Sequence, residues 1–371
     1  MIYLDHAATT PLRPEAAEAM EPFLGDRFGN TSGSHDVSRR AKNVLERARE
    51  QAAEVLGASP TEVIFTGGGT EADNLAIKGA ALTNRGGVVT VATEHEAVLE
   101  AGRFLERMGS QLDIVGVDPN GIVDLARLEA AVGPHTAVVS VMTINNETGT
   151  CQPIVQVVEA VRRANPLTLV HTDAVQALSS LELSVDEMGV DLLSLAAHKF
   201  GGPQGVGLLY ARAGVRLEPL IHGGGQEFGR RSGTHNVAGV AGMAAAMSAA
   251  AADRPSFRLR VTEARQAFES KLSDRVERTV PEVVSAPQHS HLRFEVENET
   301  LLVRLDRLGV AASAGSACQS GSNTVSHVLS AMGLSKEQAR HSLRFTFGWN
   351  STLAEAEQAA ELVIQALAGP R

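Results

Sequence analysis

The sequence predicts an α/β fold, in which a mostly parallel sheet of seven strands carries helices on both faces and is followed by a smaller α+β lobe. Three observations lead to this prediction. Short apolar runs alternate with helical patterns through the first two thirds of the chain, which is typical of a parallel sheet. One further apolar run follows its predecessor too closely for a helical crossover. Beyond about residue 277, short strand-like runs are interspersed with helices.

The first six strands are predicted from short runs rich in Val, Ile and Leu, the composition of strands that are buried on both faces. These runs are EVIFT (62–66), VVTVA (88–92), LDIVGV (112–117), AVVSVMT (137–143), LTLVHT (167–172) and DLLSLAA (191–197). Helical patterns such as EADNLAIKGAALTN and PIVQVVEAVRRAN lie between them. The seventh run, GVGLLY (205–210), is expected to pair antiparallel because its connection is too short for a parallel crossover.

The remainder of the chain predicts a long helical stretch and then the small lobe. Helical patterns occupy about 235–277, and PEVVSA, HLRFEV and SLRFTF are predicted to be strands of the lobe. The segment before Pro14 is too short to fold alone and is expected to pack against that lobe. The predicted domains are therefore a large domain of residues 14–255 and a small domain of residues 1–13 with 256–371.

Composition excludes several classes of protein. The chain has 371 residues, of which 43% are hydrophobic, and its formal net charge of −10 disfavours a general nucleic-acid-binding surface. No run approaches the roughly 18 apolar residues of a membrane helix, and the start MIYLDHAATTP does not resemble a signal peptide. The two cysteines are too few for a disulfide framework. We therefore expect a cytoplasmic protein with reduced thiols and no membrane partner.

Three predicted strands end in sequence suited to ligand binding, which in open α/β sheets occurs at the carboxyl ends of strands. GGGTEADN follows the first run, and its glycines lead into a helix whose free N–H groups suit phosphate, although a tight turn explains them equally well. Asp173 follows the fifth run and suits a cation or a protonated ring nitrogen, although an N-cap is an alternative. Lys199 follows the sixth run and suits a base or Schiff-base former, unless it simply extends to the surface.

Together these three features suit one cofactor, pyridoxal 5'-phosphate (PLP). Its phosphate needs N–H donors, its pyridine nitrogen needs a carboxylate that keeps it protonated, and its aldehyde needs a lysine. His95, in TEHEAVL, lies at another strand end and suits ring stacking and proton movement, although a lone histidine there is usually structural. Asn146, in TINNETG, follows the fourth run and suits a cofactor oxygen or a substrate carboxylate, with a turn as the alternative.

At this level of detail the chain resembles the cysteine desulfurases of the NifS/IscS type, which are class V aminotransferase-like enzymes with the fold type I of PLP-dependent transferases. The stretches that carry the resemblance run from end to end. They are YLDHAATTP, FGNTSGSH, FTGGGTEADN, TEHEAVL, NNETG, HTDAVQA, HKFGGPQGVG, HGGGQEFGRRSGTHN, SAGSACQSG and SLRFTFG.

The resemblance implies which residues would hold the cofactor in the large domain. Lys199 would bind the aldehyde, Asp173 would pair with the ring nitrogen, and Gln176 would bond the ring hydroxyl oxygen. His95 would stack on the ring. The phosphate would be held by Gly69, Thr70 and His198, and by Thr234 reaching across from the partner subunit of a homodimer.

The resemblance also implies a reaction on L-cysteine, with Lys199, Cys318 and His95 as the catalytic residues. Arg344, in the small domain, would clamp the substrate carboxylate, and Asn146 would assist at the substrate and the ring. Lys199 would take the Cα proton, and His95 is a candidate proton shuttle. The Cys318 thiolate would attack the substrate sulfur, which gives L-alanine and a persulfide. A sulfur-acceptor protein for iron–sulfur cluster assembly or tRNA thiolation would receive the sulfur.

Several departures and alternatives accompany the resemblance. Ala196 stands where the family often has a phosphate-binding serine, and GNTSG and SAGSAC differ slightly from the commoner patterns. The alternatives are a selenocysteine lyase or a related class V enzyme, and a sulfur-relay or regulatory protein without turnover. We expect no metal site, because QHSH (288–291) is predicted to be a solvated loop. Cys151 is expected to be inert. The small residues around Cys318 predict a loop that swings between cofactor and acceptor.

Overall fold

The structure, a computed structural model, describes residues 1–315 and 325–369. The strands are β1 (Ile2–Tyr3), β2 (Val63–Thr66), β3 (Gly87–Val91), β4 (Leu112–Val115), β5 (Thr136–Ser140), β6 (Leu169–Asp173), β7 (Leu192–Ala196), β8 (Gly207–Ala211), β9 (Glu277–Arg278), β10 (His289–Arg293), β11 (Val310–Ala311) and β12 (Ser342–Thr346). The helices are α1 (Pro14–Met20), α2 (Asp36–Leu56), α3 (Gly69–Asn84), α4 (Glu96–Arg107), α5 (Leu125–Ala131), α6 (Ile154–Ala164), α7 (Val185–Met188), α8 (Val237–Leu272), α9 (Asn298–Arg307), α10 (His327–Ala331), α11 (Lys336–Arg340) and α12 (Leu353–Ala368). Short 3₁₀ helices cover Glu21–Phe23, Pro60–Glu62, Ala197–Lys199, Glu227–Gly229 and Glu282–Val284. None of the helices in these ranges combines the length and the apolar character that crossing a bilayer requires.

A seven-stranded sheet forms the centre, in the order β2-β8-β7-β6-β5-β3-β4. The pairs from β7 to β4 are parallel, and β8 runs antiparallel to both of its neighbours, β7 and β2. Each of the six apolar runs contributes one strand, and GVGLLY contributes β8. The predicted fold class and the antiparallel pairing of GVGLLY are therefore confirmed.

Both faces of this sheet are buried, which explains why its strands are continuous apolar runs. Successive residues of a strand point to opposite faces. Accordingly Val88 and Val89, Val138 and Val139, and Leu192 and Leu193 divide between two separate hydrophobic clusters, one on each side of the sheet. Helix α3 packs in one of these clusters and α2 and α6 in the other. The helices on both faces that the sequence predicted are thus present.

A third hydrophobic cluster, separate from the two that cover the central sheet, joins the start of the chain to its last third. Strand β1 pairs parallel with β11, and β12-β10-β9 form a small antiparallel sheet. Its core contains Leu4, Phe268, Phe345 and Val363, among others. The first residues of the chain therefore depend on partners more than 300 positions away, because Ile2 pairs with Val310.

Helix α8 passes from one core to the other. Met243, Met247 and Ala250 are buried in a cluster of the central sheet, whereas Phe257 and later residues are buried in the core of the small sheet. The change falls at Pro255, which lies inside the helix. The predicted domain boundary at residue 255 lies at the same place, and the division into two domains stays a prediction.

Two predictions for the last third are wrong. PEVVSA was expected to be a strand, but Glu282–Val284 forms a 3₁₀ helix. QHSH was expected to be a solvated loop, but His289–Arg293 is β10, the central strand of the small sheet. Because β12 and β9 pair on either side of it, His289 and His291 are buried despite their polarity. Local composition did not contain this information, since it depends on strands distant in sequence.

A buried ion pair fastens the segment 227–235 to the sheet. The guanidinium of Arg49 donates two hydrogen bonds to the carboxylate of Glu227, at 2.7 and 2.8 Å. The N–H of Phe65 in β2 also donates to it at 2.9 Å, and His235 Nε2 lies 2.7 Å away. Burial alone would raise the pKa of Glu227, but the bonds from Arg49 and His235 outweigh burial and lower it to about 2.

Substituting Glu227→Gln should destabilise the protein by about 3–5 kcal/mol at neutral pH, because it leaves the buried Arg49 guanidinium with only the partly exposed Glu46 carboxylate as a counter-charge. The carboxylate stabilises the fold above its unfolded pKa of about 4.3. That contribution is lost as pH falls towards about 2. Urea unfolding of both proteins should therefore show a difference that shrinks below about pH 4. Glu129→Gln, in an exposed pair with Arg163, is the control and should barely move the midpoint. Equal effects for the two variants would contradict this account.

Candidate functional site

The candidate site consists of two adjoining cavities at the carboxyl edge of the central sheet. One has a volume of about 710 Å³ and the other of about 360 Å³. Ala8, Gly69, Thr70 and His198 line both, so the two cavities are adjacent. The site lies at this edge because β2, β5, β6 and β7 run in one direction, so that the polar residues that follow them meet.

The larger cavity is built around the start of α3. Gly68 has a φ of 152° and a ψ of −179°, a conformation that is essentially restricted to glycine. At Gly69, a Cβ atom would lie 2.9 Å from Val175 Cγ2, so glycine is needed to bring the helix start against the strand ends. The free N–H groups of the first helical turn suit an anion. We call the turn into α3, from Gly67 to Thr70, the phosphate cradle. It contains Gly69 and Thr70, which are both predicted phosphate ligands.

The wall of the cradle is completed by residues that follow β7. His198 lines the cavity, and its Nδ1 lies 3.1 Å from Thr9 Oγ1. Burial and the neighbouring Lys199 lower the pKa of His198 to about 4, so the ring is neutral at physiological pH. Ala196, at the end of β7, lies beneath Gly69, where the family often has a serine. The contact is therefore apolar in this chain.

Glu71 brings a negative charge to the rim of the cradle. Its carboxylate accepts a hydrogen bond from Gly67 N at 2.9 Å and pairs with Arg231 at 2.8 Å. Arg231 belongs to the RRSGTHN stretch, so the ion pair connects that stretch to α3. The arginine compensates the carboxylate, and an anion can then approach the helix start.

Lys199 lines the smaller cavity, within the 3₁₀ helix that follows β7. Its Nζ donates hydrogen bonds to the backbone carbonyls of Ala7 and Ala8, at 2.5 and 2.8 Å. Gln176 Nε2 donates to the same Ala7 carbonyl at 2.9 Å. The LDHAA stretch at the start of the chain therefore forms one wall of the site and sets the position of the lysine.

Asp173 and His95 face the smaller cavity from two different strands. Asp173 ends β6, is buried, and accepts a hydrogen bond from Val175 N at 2.9 Å. Burial raises the pKa of its carboxyl, although His95 and Lys199 oppose the shift. His95 is the N-cap of α4, where Nδ1 accepts from Ala97 N at 3.1 Å, which leaves the proton of the neutral ring on Nε2. Burial lowers the pKa of this imidazole.

Two further buried carboxyls were missed by sequence reasoning. Asp73 is 1% exposed, and Glu94 is fully buried. Within the described part of the chain, Asp73 Oδ1 and Glu94 Oε2 have no hydrogen-bond partner. Burial and the nearby charge of Asp173 raise both pKa values well above those of ordinary carboxyls. The signal was weak but present, since Asp73 lies one helical turn after Gly69 and Glu94 directly precedes His95.

The carboxyls form a compact group with the imidazole. One oxygen of Asp73, one of Asp173 and one nitrogen of His95 lie within 4.8 Å of one another. Asp73 and Asp173 cannot both be ionised easily at this distance, and the buried Glu94, whose pKa Asp173 also raises, adds to the same repulsion. A single ionised carboxylate in this group would be stable if it faced a cation, such as a protonated ring nitrogen of a ligand. The same spacing also suits a metal ion, so the absence of a metal site stays a prediction.

Arg344 reaches the smaller cavity from β12. Its side chain is 2% exposed; Nη1 donates to the Asn146 carbonyl at 2.7 Å, and Nη2 pairs with Asp5 at 2.6 Å. Its Nε has no hydrogen-bond partner among the described residues. Asn146 is half-buried and lines the same cavity. The predicted substrate-carboxylate ligands, Arg344 and Asn146, are therefore neighbours.

The structure does not bring every predicted residue together. Thr234 is exposed and does not line either cavity. Cys318, with the predicted swinging loop, lies outside the described residues. Gly315 and Ser326, on either side of that segment, do line the smaller cavity. The other thiol, Cys151, is half-buried, and burial raises its pKa to about 11, which makes it a poor nucleophile.

Comparison with known proteins identifies the family. Residues 2–358 match the family described as aminotransferase class-V. The chain belongs to this family. It is 45% identical to the cysteine desulfurase IscS of Dictyoglomus turgidum, over 95% of this chain and 90% of the relative. It is 42% identical to a cysteine desulfurase of Klebsiella pneumoniae, over 93% and 87% of the two chains. Among the class-V aminotransferases, it therefore belongs to the cysteine desulfurases.

Solved structures agree with this assignment. A NifS-like protein has a TM-score of 0.93 at 36% identity, with 99% of each chain covered. A NifS-like protein from Rickettsia africae has a TM-score of 0.89 at 27% identity, again over 99% of each chain. The resemblance and the fold type I that it implied are confirmed.

Substituting Asp73→Asn should stabilise the cofactor-free protein increasingly as pH rises. A raised carboxyl pKa in the folded state contributes stability below the unfolded pKa of about 3.9, and that stability is lost as pH rises towards the folded pKa. Asparagine cannot ionise and escapes this loss. Urea midpoints between about pH 5 and 8 should therefore diverge in favour of the variant. Asp306→Asn, on an exposed helix, should run parallel to the wild type, and a parallel profile for Asp73→Asn would show that Asp73 is not held neutral.

Proposed function

We propose that this chain is a PLP-dependent cysteine desulfurase, which takes sulfur from L-cysteine, releases L-alanine and holds the sulfur as a persulfide on Cys318. The observation that carries the proposal is that the glycine-rich start of α3, Asp173 and Lys199 all line the smaller cavity. This arrangement supports the family assignment independently, because the three features come from strand ends that are distant in sequence.

The residues present fit PLP. The glycine cradle at Gly69, together with Thr70 and the neutral His198, would hold the phosphate. Asp173 would pair with the ring nitrogen, and Lys199 would bind the aldehyde. When bound, PLP supplies an electron sink that makes the Cα–H bond of an amino acid acidic. His95 and Gln176 line the same cavity and would contact the ring face and the ring hydroxyl oxygen.

The electrostatics of the surrounding carboxyls favour a cation at the position of the ring nitrogen. Burial strongly opposes the ionisation of Asp73 and Glu94. It also raises the pKa of Asp173, but His95 and Lys199 oppose that shift, so Asp173 is the carboxyl that would carry the negative charge. A buried carboxylate is stable only when it is paired, and a protonated ring nitrogen is a suitable partner. Asp173 would thus help to keep that nitrogen protonated.

The remaining residues handle the substrate and its protons. The fork of Arg344, together with the Asn146 amide, would bind the carboxylate of L-cysteine. Lys199 Nζ would take the Cα proton, and the Ala7 and Ala8 carbonyls are placed to accept N–H bonds from it. The Cys318 thiolate would attack the substrate sulfur, so that an S–S bond forms as the Cβ–S bond breaks. His95 Nε2 is a proton donor for the carbon fragment, which leaves as alanine.

The partners follow from this chemistry. A persulfide must be passed on, and the acceptor would be an iron–sulfur scaffold or a thiolation carrier. We also propose a homodimer, because Thr234 is exposed in the single chain while its neighbour Arg231 borders the phosphate cradle. A thiol that must stay reduced between turnovers fits a cytoplasmic location.

Substituting Cys318→Ala should abolish the formation of alanine and the release of sulfide from L-cysteine while leaving cofactor absorbance unchanged. The reason is that the thiol acts on the substrate and does not hold the cofactor. Alanine and sulfide are quantified in the presence of a reducing thiol. Cys151→Ala is the matched control and should keep full activity. Full sulfide release by Cys318→Ala would refute the proposed function, and pyruvate as the product would point to a different class V reaction.

Substituting Lys199→Ala should remove the covalent link to the cofactor and reduce turnover by several orders of magnitude, since both the bond and the base are lost. Borohydride reduction followed by peptide mass spectrometry should locate the adduct on Lys199 in the wild type. Lys42→Ala, at an exposed position of α2, should leave adduct and turnover intact. If the Lys199→Ala variant formed as much reducible adduct as the wild type, on another lysine, the assignment of Lys199 would be overturned.

A further inference from the structure

Glu147, in the NNETG stretch, is a buried carboxyl to which the proposed reaction assigns no role. It is 3% exposed and lines the smaller cavity with Arg344 and Lys199. Its own backbone is fixed, because Asn145 Oδ1 accepts the Glu147 N–H at 2.9 Å. The side chain therefore has a defined origin beside the substrate position.

One contact of Glu147 is made with Ser326. The hydroxyl of Ser326 donates to Glu147 Oε2 at 2.6 Å, and both groups are buried. The same hydroxyl accepts from Leu329 N at 3.2 Å as the N-cap of α10. The Ser326 hydroxyl thus donates one hydrogen bond and accepts another. Together the two bonds fix the start of α10 against the cavity.

The second contact is made with Gly315. A Cβ atom on Gly315 would lie 2.9 Å from the same carboxylate oxygen, so that oxygen packs directly on the glycine backbone. Gly315 has a φ of 91° and donates its N–H to Ser313 Oγ at 3.2 Å. Ser313 in turn exchanges two backbone hydrogen bonds with Arg344, at 2.7 and 3.2 Å. This end of the segment is therefore tied to the strand that supplies the substrate-binding arginine.

We propose that Glu147 is a positioning residue that fastens both Gly315 and Ser326, the two points between which Cys318 lies in the sequence, to the wall of the substrate cavity. The proposal rests on the proposed function in taking Cys318 as the sulfur acceptor. In general, anchoring both ends of a chain segment near a site raises the effective concentration at that site of a group that the segment carries.

The groups around Glu147 explain why an acceptor is needed at this position. His327, which follows Ser326, places Nε2 2.9 Å from the Glu94 carbonyl and Nδ1 3.4 Å from Glu96. The pKa of Glu147 is raised above that of an ordinary carboxyl because burial outweighs the opposing effects of the Ser326 hydroxyl, His327 and Arg344. In either protonation state the carboxyl offers an oxygen to Ser326. Glutamine keeps that acceptor and alanine removes it, which provides a matched pair of variants.

The test compares Glu147→Ala and Ser326→Ala with two controls, Glu147→Gln and Ser330→Ala. Ser330 lies on the same helix, and its hydroxyl donates to the Ser326 carbonyl at 2.8 Å rather than to Glu147. The first readout is the rate of Cys318 alkylation by iodoacetamide in the resting holoenzyme, measured by peptide mass spectrometry with the Cys151 peptide as an internal reference. The second is kcat and KM for L-cysteine, with cofactor absorbance recorded.

Both alanine variants should alkylate Cys318 about five-fold faster and lower kcat about five-fold, the change expected for one buried hydrogen bond. KM and cofactor absorbance should not change, whereas a merely structural defect would alter them. Glu147→Gln and Ser330→Ala should stay within about two-fold of the wild type.

Unchanged alkylation in Glu147→Ala would overturn the proposal, as would a Glu147→Gln variant as impaired as the alanine variant. A rise in KM together with loss of cofactor would overturn it too, because Glu147 would then act on the cavity itself. The alkylation comparison requires no turnover. If Cys318→Ala retained sulfide release, the proposed function would be wrong. The alkylation rates would still show whether Glu147 acts as a positioning residue.

Discussion

The parallel pairing of β5, β6 and β7 is the constraint on which the site depends. Parallel strands deliver their carboxyl ends to one edge, and each crossover returns the chain to the opposite edge before the next strand begins. Asp173 and Lys199 are therefore neighbours although a connection and a strand separate them. The two clusters that bury both faces of the sheet fix this pairing, since a slip of one residue would exchange the two faces. The catalytic geometry is thus maintained by hydrophobic packing away from the cavity.

Much of the fold was predictable because strands that are buried on both faces consist largely of consecutive apolar residues, and such runs are visible in the sequence. Val88–Val89 and Leu192–Leu193 are examples in which both residues are apolar and buried, one on each face. The small sheet was less predictable, because His289 and His291 are buried by pairing with β12 and β9 and their own composition suggests solvent. Periodicity cannot reveal partners that are contributed from elsewhere in the chain.

The candidate site divides in the same way. Glycines before a helix and a lysine after an apolar strand are local patterns, and they pointed to the phosphate cradle and to Lys199. Asp73, Glu94 and Glu147 were missed because their local sequence distinguishes them only weakly from ordinary acidic residues. Their significance arises from burial and from atoms left without partners or bonded to a distant hydroxyl. Electrostatic compensation of this kind is a property of the assembled fold and becomes visible only in three dimensions.

The wall that the first ten residues provide has a consequence for biosynthesis. Ala7 and Ala8 hold Lys199, yet Ile2 pairs with Val310, and Ala7 N donates to Thr346 Oγ1 at 2.9 Å. Residues 2–8 thus acquire their position only after partners more than 300 positions later in the chain have been synthesised. The central sheet can form during synthesis, but the lysine-holding wall cannot close until strand β12 has emerged. The candidate site is therefore completed late, and a nascent chain stalled before β12 would fold most of its central core without this wall.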